Sequence, residues 1–317
     1  MANLAFWRLR PARLIGYYLP MNKGNSNIMR DAKEMAYLYD LYIAPGWREA
    51  FDQMVDEEVE LPKEGKFLDA ECGTGSYSID MAIRGGAKTE VVGTDPSSEK
   101  LILARAKAEV KKLDRVEFHP GSLQSLGFAD DEFDLVIGDA SMLPPAEAGA
   151  ALAELTRVAK KGATVVLKLT TRGSFDEFFS IYWEALYNLG LLEYVPQLEG
   201  LITERQTVTD AEQIAVDARL KHVRSVTRKE RFDYNDGREF LESPLIETFF
   251  LDDWLAMLPS EDARQQVRQQ LVKIIDEECY KADFDGDNNQ AMGLDDEKRH
   301  KMDFDVSIKA TLIIGQK

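Results

Sequence analysis

From residue 64 onward, short apolar runs alternate with stretches whose apolar positions recur every three to four residues. "KFLDA" (66–70), "EVVGTD" (90–95), "RVEFH" (115–119), "FDLVIGD" (133–139) and "ATVVLKLTT" (163–171) read as strands. Between them, "SYSIDMAIRG", "SEKLILARAKAEVKKL" and "AEAGAALAELTRVAKK" have helical periodicity and good helix formers. Gly162, after Lys160 and Lys161, reads as the stop of the last helix, with cations at the negative end of its dipole. Strands alternating with helices of this length predict an α/β fold, a doubly wound parallel sheet covered on both faces.

Past Thr171 the pattern changes. "SFDEFFSIYWEALYNLGLLEYV" places Phe175, Phe178, Phe179, Tyr182, Trp183, Leu186 and Tyr187 along one side of a helix spanning 174–190. Such a stripe packs on the body of the protein or on a second copy of the chain, as in a homodimer; it can also wall an apolar acceptor pocket. "DAEQIAVDARL" (210–220) predicts another helix and "KHVRSVTRKERFDY" (221–234) a strand. Two helical stretches follow, "GREFLESPLIETFFLDDWLAML" and "EDARQQVRQQLVKIIDEECY". In the closing "DFDVSIKATLIIGQK", Phe304, Val306, Ile308, Ala310, Leu312 and Ile314 alternate without a break, which predicts a terminal strand. Residues 235–302 then form a mainly helical insertion between the last two strands.

Charge and composition narrow the partners. A net charge of -17 is a poor match to a phosphate backbone, which argues against nucleic acid. Two cysteines, Cys72 and Cys279, give neither a disulfide framework nor a metal-ligand cluster and fit a reducing cytoplasm. No run of about 18 apolar residues predicts an integral membrane segment. The basic, aromatic start "MANLAFWRLRPARLIGYYLP" lacks the uninterrupted apolar core of a signal peptide, because Arg8, Arg10 and Arg13 break it. It reads as an extension that packs on the body or on a second copy, or as a membrane-surface or partner-binding arm. Asp283, Asp285 and Asp287 have the spacing of calcium ligands, but Asn288 stands where the loop needs glycine and Leu294 where it needs a bidentate glutamate. A solvated acidic loop is the expectation there, and no metal site is predicted.

The first strand runs into Asp69-Ala70-Glu71-Cys72-Gly73-Thr74-Gly75. Its small residues let backbone approach a ligand, and glycine takes positive φ without a Cβ penalty. As a dinucleotide loop it is a weak match, since Ser78 stands in the third glycine position. The loop does resemble the first motif of the class I S-adenosylmethionine-dependent methyltransferases, an acidic residue and then glycines at alternate positions with threonine-glycine following. Asp69, Gly73, Thr74 and Gly75 match it, and Asp95 ends the second strand where that family places an acid on the ribose hydroxyls. The resemblance runs motif by motif over 64–171 and by topology over 210–234 and 303–317.

That resemblance implies a Rossmann-like seven-stranded sheet with the last strand antiparallel, and S-adenosyl-L-methionine as cofactor. It places Asp69, Glu71, Cys72, Gly73, Thr74, Gly75, Asp95, Pro96, Ser122, Leu123 and Asp139 at the cofactor. Ser122 stands where an aspartate often reads the adenine amino group. Glu71 replaces the first motif glycine, so its side chain either turns outward or sets a carboxylate near the cofactor ammonium. Asp139 lies where sulfonium and acceptor meet and is a candidate for acceptor contact; His222 and His119 are candidate bases by type only, and His300 reads as solvated. "GDASMLPP" lacks the Asn/Asp-Pro-Pro-Tyr/Phe motif of base and amide N-methyltransferases. Residues 1–60 would supply an extension and lid helices, with Tyr37, Tyr39, Tyr42 and Trp47 either closing over the cofactor or packing at the sheet edge. Residues 61–234 would form the core and 303–317 its terminal strand, with 235–302 capping the acceptor. The expectation is a methyltransferase acting in line on a small, apolar or aromatic acceptor. The alternatives are a cofactor-binding scaffold without catalysis and a transferase moving another group from the same cofactor.

Overall fold

The chain builds one seven-stranded sheet in the order β3-β2-β1-β4-β5-β7-β6. The computed structural model describes residues 31–281 and 303–317. The strands are β1 (Gly65–Ala70), β2 (Thr89–Asp95), β3 (Val116–Pro120), β4 (Phe133–Asp139), β5 (Ala159–Thr171), β6 (Lys221–Tyr234) and β7 (Phe304–Gln316). β1 to β5 pair in parallel, while β7 runs antiparallel between β5 and β6. Both faces of the central strands are buried, which is why they read as near-continuous apolar runs. Strand order reverses between β1 and β4, so the loops leaving these two strands diverge and open a crevice at their carboxyl ends.

Helices fill both faces. α1 (Ala32–Leu38), a π-helical segment (Tyr39–Arg48) and α2 (Glu49–Glu58) precede the sheet, and α3 (Ser76–Arg84) and α4 (Ser98–Val110) follow β1 and β2. Ile43, Trp47, Phe51 and Met54 share one buried cluster with α3, α4 and the later aromatic helix α6 (Asp176–Asn188), which follows α5 (Ala148–Val158) in the chain. α5 and α8 (Val208–Asp217), the latter preceded by α7 (Val195–Thr203), supply the opposite cluster through Leu152, Leu155, Ala211 and Ala215. Pro45 lies inside the π-helical segment; it has no N–H to donate, and its ring crowds the preceding turn. The wider winding there fits the usual place of π-turns at functional sites.

Three local expectations need correction. α5 ends at Val158, since Ala159 is already extended; Gly162, at φ +83°, is a kink within β5 and not a helix stop. The stripe of α6 buries Phe178, Phe179, Tyr182 and Leu186, but Trp183 and Tyr187 are exposed and stack on each other at 5.8 Å. At 100° per residue these two fall on the neighbouring face. The stretch 237–258 is three short helices, α9 (Gly237–Leu241), α10 (Pro244–Phe249) and α11 (Leu251–Leu255). Ser243 and Pro244 restart the helix with an N-cap and a proline in its first turn, and Phe250 at φ -132° breaks it again. α12 (Glu261–Lys281) is the last element between β6 and β7 among the described residues. The basic N-terminal run, the acidic run 283–297 and His300 lie outside the described residues. No helix among the described residues is long and apolar enough to cross a membrane.

Candidate functional site

The loop after β1 carries the most constrained backbone in the crevice. Gly73 and Gly75 take φ of +59° and +76°, and Glu71 takes +59° with a full side chain. A Cβ on Gly73 would stand 2.5 Å from the Tyr39 ring, and one on Gly75 would stand 2.7 Å from both Ala104 and Phe118. Glycine is therefore required twice over, by conformation and by space. Cys72 is buried, its N–H donating to the Thr94 carbonyl at 2.7 Å, so it packs the loop onto β2. Burial and the nearby carboxylates push its thiol well above the usual range.

Asp69, at the end of β1, is fully buried. It accepts from Arg48 Nη2 at 3.1 Å on one oxygen and from Ser78 Oγ at 2.6 Å on the other. Asp95, at the end of β2, accepts from the Gly73 N–H at 3.0 Å and the Ser97 N–H at 2.9 Å, with Lys100 Nζ at 3.6 Å. The two backbone donors lock its orientation. Pro96, beside it, is exposed. Thr74 turns away from the crevice, donating to Asp40 and accepting from Lys107 Nζ at 3.0 Å. Lys107 also pairs with Asp40, so this trio latches the π-helical segment to the loop and to α4.

The Glu71 side chain turns inward. Burial, aided by Asp95, raises its carboxyl to about 8, while Lys100 and the Leu123 N–H pull the other way. Leu123 itself is buried in the cluster under β4, which leaves its N–H as the group it offers the crevice. Ser122 is half-buried in a tight turn, exchanging backbone hydrogen bonds with Ser125 at 3.3 and 2.9 Å.

Asp139, at the end of β4, accepts from the Ser141 N–H at 3.0 Å, from Ser141 Oγ at 2.5 Å and pairs with Arg48 Nη1 at 3.3 Å. Burial would raise its carboxyl, but Arg48, Lys168 and the two Ser141 bonds win and hold it below the usual carboxylate range. Asp139 thus stays charged and fully engaged, which suits an anchor better than a proton acceptor. His222 does not join this group. Its neighbour Lys221 pairs with Gln316, which pairs with Thr164 in the first half of β5, whereas Asp139 lies beside Lys168 four residues further along. His222 is exposed at the opposite end of the sheet, and its geometry removes it as a candidate base. His119 is exposed too, 3.1 Å from Glu117.

Arg48, which the sequence reading passed over, completes the site together with the lid candidates Tyr39 and Trp47. Arg48 is buried and joins Asp69 and Asp139, donates to the Glu71 carbonyl, and donates to Tyr39 Oη at 3.3 Å. Burial alone would depress its guanidinium pKa; Tyr39 and the carboxylates Asp69, Asp139 and Asp52 raise it instead. Trp47 Nε1 donates to Ser141 Oγ at 2.8 Å and its ring lies among Phe51, Phe175, Phe232 and Phe250. Tyr37 and Tyr42 remain exposed. One pattern did mark Arg48: Ile43, Trp47, Phe51 and Met54 recur at helical spacing, and Arg48 with Asp52 sits one step around that buried face.

These groups fit S-adenosylmethionine by their chemistry. Two glycines leave backbone open to a close ligand, and the carboxylates of Asp69, Glu71, Asp95 and Asp139 converge where a positive sulfur and ammonium would be favoured. The family described as a methyltransferase domain matches residues 67–162. The demethylmenaquinone methyltransferase of Chlorobaculum parvum is 33% identical over 151 residues, covering 45% of this chain and 60% of that protein. That of Bacillus licheniformis is 30% identical over 137 residues, 43% of this chain and 56% of its own length. The chain thus spans less than two thirds of the curated relatives it matches. Among solved structures, the YcgJ protein of Bacillus subtilis aligns with a TM-score of 0.51 at 17% identity, over 85% of this chain and 98% of that one. A Haemonchus contortus phosphoethanolamine N-methyltransferase 2, solved with phosphomonomethylethanolamine and S-adenosylhomocysteine, aligns at 0.51 and 16%, over 92% and 59%. At such identities the two structures speak to the fold, which they share. Residues 67–162 thus match a methyltransferase domain, and the glycine loop, the acids ending β1 and β2 and the β7 reversal resemble those of the class I S-adenosylmethionine-dependent methyltransferases.

Proposed function

We propose that the protein transfers a methyl group from S-adenosylmethionine to a small aromatic acceptor under a lid made by the π-helical segment. The carrying observation is the junction at Ser141. There the anchored carboxylate of Asp139 and Trp47 share the Ser141 hydroxyl, and the Trp47 ring packs against Phe175 at 6.2 Å and Phe250 at 5.5 Å. Charge for a cationic cofactor and an aromatic wall for an acceptor therefore adjoin across one hydroxyl. Two relatives are named demethylmenaquinone methyltransferases, which supports an aromatic ring in that place.

When bound, S-adenosylmethionine supplies an activated sulfonium methyl. Asp95, its orientation locked by two backbone donors, would hold the ribose hydroxyls, with the Leu123 N–H and Ser122 near the adenine. Asp69 and the backbone of Gly73 would face the amino-acid end. Trp47, Phe175 and Phe250 would orient the acceptor and exclude water, which is most of what an activated methyl requires. A binding protein without catalysis is the rival reading. Calorimetry with S-adenosylmethionine and S-adenosylhomocysteine, followed by a methyl-transfer assay on phenols and quinols, separates the two. Binding of both with turnover supports the enzyme, binding without any turnover supports the rival, and no binding to folded protein defeats both.

A further inference from the structure

Arg48, Lys168 and Arg205 are the buried cations among the described residues. Arg48 meets three carboxylates and Lys168 pairs with Asp52. Arg205 has no such partner. Its Nε donates to Thr170 Oγ1 at 3.3 Å and its guanidinium lies over the Phe175 ring at 5.7 Å. The carboxylate nearest to it is that of its own neighbour Glu204, 3.8 Å away and 42% exposed, against 9% for the Arg205 side chain. A buried charge without a buried counter-charge is costly, and burial pulls its pKa down where every other shifted arginine among the described residues is raised.

The surroundings fix where this charge points. The segment 204–206 is tied across the carboxyl ends of the strands: the Arg172 N–H donates to the Gln206 carbonyl at 2.9 Å, Arg172 Nε donates to the Arg205 carbonyl at 3.3 Å, and the Gln206 amide donates to the Pro145 carbonyl. Thr170 Oγ1, which takes the Arg205 bond, donates onward to the Ser141 carbonyl at 3.3 Å. Ser141 is the residue shared by Asp139 and Trp47, so Arg205 lies one threonine away from the junction of cofactor and acceptor sides. Phe175 faces it in a left-handed conformation, φ +64°, unusual for a bulky side chain and held by an N–H bond to the Ser307 carbonyl at 2.7 Å. A strained aromatic and a tethered arginine hold one face in common.

We infer that Arg205 is the anion-recognition residue of the acceptor site, and that the acceptor is an aromatic ring bearing a carboxylate. The guanidinium takes the carboxylate in its planar fork, whose close partners are the Thr170 hydroxyl, the Phe175 ring and the exposed Glu204 carboxylate that the ligand would replace, while Phe175 and Trp47 take the ring. The assignment rests on the methyltransferase reading for the word acceptor, but the anion site itself does not.

Benzoate and benzamide share shape and differ in charge, so their titration by calorimetry into the full-length protein, with and without S-adenosylhomocysteine, tests the inference. Benzoate should bind about tenfold or more tightly than benzamide. Arg205→Met should erase that preference, Arg205→Lys should keep part of it, and S-adenosylhomocysteine affinity should stay unchanged in both, which certifies folding. Equal binding of the two probes by the wild type overturns the inference, as does an undiminished preference in Arg205→Met. A retained benzoate preference with no S-adenosylhomocysteine binding would leave the anion site standing and remove the methyltransferase reading.

Discussion

At the scale of single residues, Glu71 and Arg48 carry the clearest consequences. Glu71 holds a left-handed φ where the motif has glycine, and its carboxyl is raised to about 8 by burial and Asp95. A carboxyl raised above its unfolded value contributes stability that is full below the unfolded pKa and is lost as pH climbs through 8. A cationic ligand favours the ionised form, so cofactor binding at pH 7 should release protons, read as a dependence of calorimetric enthalpy on buffer ionisation. Glu71→Gln should abolish that release; an unchanged buffer dependence would exclude Glu71 as the source. Glu71→Gly should relieve the backbone and cost little stability. Arg48 is the opposite case, since its removal strands two buried carboxylates. Arg48→Met should lower unfolding free energy by about 3–5 kcal/mol in urea titrations. A loss below about 1 kcal/mol would mean that Ser78 and Ser141 alone satisfy Asp69 and Asp139.

At the scale of elements, the π-helical segment couples the site to the core. Its Tyr39 lies on Gly73 with Lys100 Nζ 4.1 Å above the ring, and its Asp40 is latched to Thr74 and Lys107. The same segment sends Ile43 and Trp47 into the main cluster. A ligand approaching the Gly73 backbone must displace the Tyr39 ring, which places segment movement on the path of cofactor entry. Tyr39→Ala should therefore speed association of S-adenosylhomocysteine in stopped-flow fluorescence. Lys107→Ala, which loosens the latch and leaves the ring, should do so more weakly. Equal association rates in wild type and Tyr39→Ala would show that entry does not pass over Gly73.

At the scale of the whole molecule, the sheet was legible because its central strands are buried on both faces, so β-branched runs such as 133–139 and 163–171 announce themselves. The acids at strand ends were legible for a related reason, since Asp69, Asp95 and Asp139 each close such a run. Arg48, Lys168 and Arg205 were not. Arg205 lies in a mixed stretch where a lone cation reads as solvated, Arg48 is marked only by its step around the face of Ile43, Trp47, Phe51 and Met54, and Lys168 sits inside an apolar run without its partner Asp52 being visible; only tertiary packing supplies the partners. His222 misled for the same reason, because its type says nothing about which end of the sheet it occupies. The described residues from Ala32 onward form one compact unit, and the crevice borrows groups from β1, β2, β4 and the segment before the sheet. Ligand binding there should then be felt by the entire unit. S-adenosylhomocysteine at a hundred times its dissociation constant adds about 2.7 kcal/mol. For a unit of this size that is a rise of roughly 5 °C in melting temperature. Differential scanning calorimetry should show one transition moving as a whole. A second transition that ignores the ligand would mean that the helices between β6 and β7 melt on their own, and that the aromatic wall is not bound to the cradle in one cooperative structure.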